Sequence, residues 1–70
     1  MALKVLADLR GRYFACKGPR SAKAIEQEVG VSYQILARFG RGGYISMESL
    51  EAIEAWILRE EARNGATTPR

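Results

Sequence analysis

The sequence predicts an all-α fold, a compact four-helix domain, and three observations lead there. Apolar residues recur at helical spacing: Ile25 with Val29, Leu36 with Phe39, and Met47, Leu50, Ile53 and Ile57 in one stripe. Ser21, Ser32 and Ser46 stand where helices would begin, each with a hydroxyl able to accept a free N–H of the first turn. Glycine and proline mark the breaks, at Lys17-Gly18-Pro19-Arg20, at Gly30 and at Gly40-Arg41-Gly42-Gly43. Helices over about 2–15, 21–29, 32–39 and 46–62 follow.

The first helix carries Leu6, Leu9 and Tyr13 on one stripe, with Leu3, Val5 and Phe14 beside it. Gly11 weakens it by about 1 kcal/mol relative to alanine. The second and third helices form a unit from Ala22 to Gly42, AKAIEQEVGVSYQILARFGRG, in which Ile25, Val29, Val31, Leu36 and Phe39 define one buried seam. Gly30 falls where the second helix must stop and reverse, a place that favours a left-handed backbone. The segment Gly40 to Tyr44 is predicted to be loop, since three glycines in four residues leave the backbone too free. It reads either as a plain connector or as a stretch that lets a partner come close. The fourth helix places Glu48 and Glu51 early and Arg59 and Arg63 late, each sign suited to the helix dipole. Trp56 and Leu58 fall on the flanks of its inward stripe, more apolar surface than one stripe needs. Residues 1–63 make the domain and 64–70 a flexible tail.

Seventy residues hold one modest core and leave little room for a large pocket. Cys16 is alone and histidine is absent, so neither an intrachain disulfide nor a Cys/His zinc site can form, and a reduced cytoplasmic setting fits. No apolar run approaches the ~20 residues of a membrane span. An enzyme is not expected, because the paired acids lie on an ordinary solvated helix face. No metal or other cofactor, small-molecule substrate or membrane partner is predicted. The charge is uneven: residues 1–45 carry eight basic and three acidic side chains, residues 46–70 three basic and five acidic. The positive part contains the two-helix unit.

Several spaced features carry a family resemblance. They are Ser21, apolar Ile25 and Val29, the Gly30-Val31-Ser32 turn, Leu36 and Phe39, Arg38, the Arg41-Gly42 exit, and the Ser46-Met47-Glu48-Ser49-Leu50 start of the next helix. Over Ser21 to about Ile57 the chain resembles the helix-turn-helix of the lambda-repressor/Cro-like family, the Xre-type regulators of phages and bacteria. It departs at Glu26, where that family usually has a small alanine, and at Ala22, where many members have glutamine. The resemblance implies a regulator of transcription, most simply a repressor, whose third helix enters the major groove of double-stranded DNA in the cytoplasm, at the nucleoid.

The residues suit that expectation. Tyr33, Gln34, Ala37 and Arg38 share the face opposite Leu36 and Phe39, with Arg41 just beyond. Gln34 can pair with adenine and Arg38 with guanine or phosphate, while Ala37 allows close approach and Tyr33 can reach sugar or phosphate. Lys17, Arg20, Ser21, Lys23, Ser32, Arg41, Gly42 and Tyr44 are the expected backbone contacts. One short helix reads few base pairs, so a homodimer on an inverted repeat is expected. Ala55, Trp56, Leu58 and Ala62 are its candidate contact; for Trp56 the alternative is to close the monomer's core. Ile35 is left to pack inward or reach the groove wall, and Glu26 to pair with an arginine or face solvent. Two other readings keep the fold: a protein-interaction module of antitoxin or anti-repressor type using the fourth helix, and an excisionase-like architectural factor.

Overall fold

The computed structural model describes residues 2–65, with α1 Ala2–Lys17, α2 Ala22–Val29, α3 Tyr33–Gly40 and α4 Met47–Gly65. The all-α, four-helix expectation holds. Three ends move outward from the predicted bounds. α1 runs on to Lys17 before Gly18 turns left-handed at φ 60°, α3 takes in Gly40, and α4 continues through Asn64 and Gly65. Of the tail predicted over 64–70, residues 66–70 lie outside the described residues.

α1 packs on α4 and α3, and α2 packs on α3 and α4, so the two short helices are held against the two long ones. Leu9 and Tyr13 from α1, Ile25 and Val29 from α2, Val31 from the turn, Leu36 and Phe39 from α3, and Ile53, Trp56 and Ile57 from α4 form the buried core. Cys16, Ile35, Ile45 and Leu50 pack against it, which settles Ile35 as an inward residue. Tyr13 is the hub, meeting Phe14 and Phe39 edge-on at 5.3 Å and Trp56 at 6.2 Å. Edge-to-face rings gain beyond their buried area.

On α4 the structure decides between the two places open to Trp56 and departs from expectation at Met47. Trp56 is 1% exposed and belongs to the core, so it is withdrawn from the dimer contact. Its indole is the largest side chain in the core, and its N–H donates to Glu28 Oε1 at 3.2 Å, which satisfies the ring's one polar atom. Met47 is 66% exposed and does not join the inward stripe, whose packing begins at Leu50.

Arg12 and Glu61 tie α1 to α4 through two hydrogen bonds of 2.9 and 2.7 Å. The guanidinium holds the Glu61 carboxyl below its ordinary range. A carboxylate so lowered supports the fold above its unfolded pKa and loses that support as pH falls through the folded value. Both groups are more than a third exposed, so the pair contributes at most about 1 kcal/mol. Burial pushes the Cys16 thiol up from its ordinary value, as suits a half-buried group packed against the core.

Candidate nucleic-acid interface

The turn between α2 and α3 is short and firmly made. Ser21 starts α2 and accepts the Ala24 N–H on its hydroxyl at 3.1 Å. Gly30 ends it in the left-handed region at φ 84°, donating to the Glu26 carbonyl at 2.9 Å. Ser32 then begins α3, its hydroxyl accepting from Ile35 at 3.4 Å. Leu36 and Phe39 are buried, and the opposite side carries Tyr33, Gln34 and Arg38 exposed, with Ala37 half-buried among them. The four residues predicted to share an outward face do share it.

The far end of α3 is also fixed. Arg41 donates to the Ala37 carbonyl at 3.0 Å, Gly42 to Phe39 at 3.0 Å and Gly43 to Arg38 at 2.8 Å. With Gly42 at φ 88°, these bonds form a Schellman cap. The glycine segment is therefore an ordered helix end. A Cβ on Gly43 would stand 2.5 Å from Arg38 Cγ and 3.2 Å from the Arg38 carbonyl oxygen. Gly43→Ala is expected to cost about 1–2 kcal/mol in urea unfolding, since Arg38 must leave its rotamer or the cap must open. Much of that loss should vanish when Arg38→Ala is added, because the Cγ is then gone.

Two residues take up roles that were not expected of them from the sequence. Glu26 Oε2 accepts the Tyr33 N–H at 3.2 Å, so the carboxylate caps α3 from one helix back. Arg10 reaches from α1 to donate to the Phe39 carbonyl at 3.0 Å, its guanidinium lying 5.8 Å from the Phe39 ring centre. Glu26 had a local signal, a carboxylate one turn before a helix-ending glycine. Arg10 had none, because its partner lies 29 residues away.

The basic cluster expected at the start of α2 divides. Lys23 stays with the α3 face, its ammonium 4.8 Å from the Tyr33 ring centre. Arg20 turns to the α1–α2 corner, where it donates to the Lys17 and Cys16 carbonyls at 3.2 and 3.0 Å and stacks 5.9 Å from the Trp56 ring centre. It also pairs with Glu28 at 3.6 Å and with Glu60 at 3.8 Å. Glu60 is only 6% exposed, and Arg63 completes its coordination at 2.7 Å. Lys17 Nζ donates to the Arg20 carbonyl at 2.6 Å. At that corner Arg20 thus pairs with the buried Glu60 and the exposed Glu28 while Lys17 serves a backbone carbonyl, and neither joins the outward face of α3. The cations beside that face are Lys23, Arg38 and Arg41, with Ser21 and Ser32 engaged as caps.

Tyr44 stands 89% exposed just past the cap, beside a cleft of about 300 Å³ lined by Leu6, Phe39, Ile45, Met47 and Leu50. On α4, Ala55, Leu58 and Ala62 are exposed along one side, clear of the core. No described helix is long and apolar enough to cross a membrane. Comparison with family models, curated proteins and solved structures found no match in any of the three.

Proposed function

We propose that this chain binds double-stranded DNA in a sequence-specific manner, with α3 in the major groove, and acts as a regulator of the lambda-repressor/Cro-like kind at the nucleoid of a bacterial host. One observation carries the reading: a helix capped at both ends and anchored by Leu36 and Phe39 presents Tyr33, Gln34 and Arg38 outward together. Recognition requires a rigid rod whose free side holds groups matched to base edges. Gln34 offers a donor and an acceptor for adenine, and Arg38 a two-pronged donor for guanine. Lys23 and Arg41 flank them and serve phosphates. Repression by occupying a promoter needs nothing beyond that contact.

A second copy joins through the exposed side of α4. Leu58 is 52% exposed, with Ala55 and Ala62 one turn to either side, a low patch over which another helix can come close. Leu58→Glu should leave folding intact and abolish the dimer in sedimentation equilibrium, with a matching loss of affinity for a two-fold site. A dimer of unchanged strength would move the contact elsewhere.

Selection from a random duplex pool tests the whole reading. An inverted repeat with half-site centres about 10 base pairs apart is expected. Recovery of no preferred sequence would contradict it. A protein-interaction module remains the second reading, favoured by the acidic side of α4 with Glu48, Glu51 and Glu54 all exposed. Capture of a basic protein by a chain that shifts no duplex would decide for it.

A further inference from the structure

We infer that Glu26 is a specificity-determining residue, an electrostatic filter at the mouth of α3 that penalises docking on phosphates alone; this rests on the DNA-binding reading above. The start of a helix ordinarily attracts anions, because its first N–H groups are free and its dipole is positive there. In this chain two of those N–H groups, of Tyr33 and Ile35, are already engaged by side chains. Glu26 Oε2 accepts the Tyr33 N–H at 3.2 Å, and the Ser32 hydroxyl accepts the Ile35 N–H at 3.4 Å. Glu26 is half-buried where α2 meets the start of α3.

No described cation is paired directly with that carboxylate. Lys23, one turn earlier on α2, holds its ammonium over the Tyr33 ring. A phosphate brought to the first turn of α3 therefore meets a fixed carboxylate at the point where a helix would normally receive it. Base edges carry no full negative charge, and the exocyclic amines of cytosine and adenine can donate to a carboxylate oxygen. Glu26 thus costs more in a register held by backbone contacts than in one where α3 is seated on bases. Such a difference in cost is specificity, whatever it does to the absolute affinity.

Glu26→Gln isolates the charge, since the amide keeps an oxygen for the Tyr33 N–H. Equilibrium binding of the full chain and the variant would be measured on the duplex recovered by selection and on a scrambled duplex of equal length, at the same salt. The variant should bind the scrambled duplex about tenfold more tightly and the selected one with little change, so the ratio of affinities falls about tenfold. A capping role alone would shift the melting temperature and leave that ratio where it was. An unchanged or larger ratio, with the wild type binding its selected duplex normally, would overturn the filter while leaving the DNA reading in place. If the wild type enriches no sequence at all, the DNA reading fails and the filter fails with it.

Discussion

Trp56→Ala should lower the stability of this domain by about 3–5 kcal/mol, the usual cost of removing a buried tryptophan. For 70 residues the whole reserve is roughly 4–10 kcal/mol, so the variant would be unfolded in much of its population at physiological temperature. The loss has three parts. The ring fills the space between α1, α2 and α4 beside Tyr13, so a cavity opens at the hub. Glu28 loses the indole N–H at 3.2 Å, and Arg20 loses the face on which it lies while it serves Glu28 and Glu60. Urea unfolding followed by circular dichroism measures the sum. Trp56→Phe should cost clearly less, because it keeps an aromatic ring in place and gives up chiefly the hydrogen bond. A loss under about 1 kcal/mol for the alanine variant would mean the indole is not the core residue described here.

Gln34→Ala with Arg38→Ala is expected to have the largest effect on binding. Each side chain should account for about 1–3 kcal/mol of discrimination on the selected duplex. Together they should lower affinity for it by roughly 30-fold or more and bring it near the affinity for scrambled DNA. Folding should change by no more than about 0.5 kcal/mol, since both side chains are exposed and alanine suits a helix. Lys23→Ala makes the contrast: if this cation serves a phosphate as proposed, its removal should weaken every sequence alike and flatten the salt dependence. Fluorescence anisotropy on the two duplexes separates the cases. If the double variant kept its preference for the selected duplex, α3 would not be the reader.

The parts of this fold that were legible in the sequence are those set by neighbours within a turn or two. Ile25 with Val29 and Leu36 with Phe39 declare a buried side through spacing alone. Ser21 and Ser32 announce helix starts because the capping acceptor is in the next turn, and Gly30 announces a stop because the left-handed region excludes most other residues. The outward face of α3 followed by subtraction. Arg20 shows where such reading fails. A basic residue at a helix start looks like a phosphate contact, yet its partners come from α1, α2 and α4 at once, and no local pattern collects them. Trp56 was equally open between core and interface, since its place on the flank of a stripe depends on how α2 leans on α4. The glycine segment was legible as a loop but not in its form: the same residues that forbid a continued helix are the ones a Schellman cap needs.

Backbone amide shifts of the labelled chain, followed by NMR as the selected duplex is added, test most directly whether the outward side of α3 meets DNA. The expected result is a contiguous set of changes at Lys23, Tyr33, Gln34, Ala37, Arg38 and Arg41, with Ala55, Leu58 and Ala62 moving only as far as pairing of two copies requires. Changes confined to α4, or no change at saturating duplex, would contradict it.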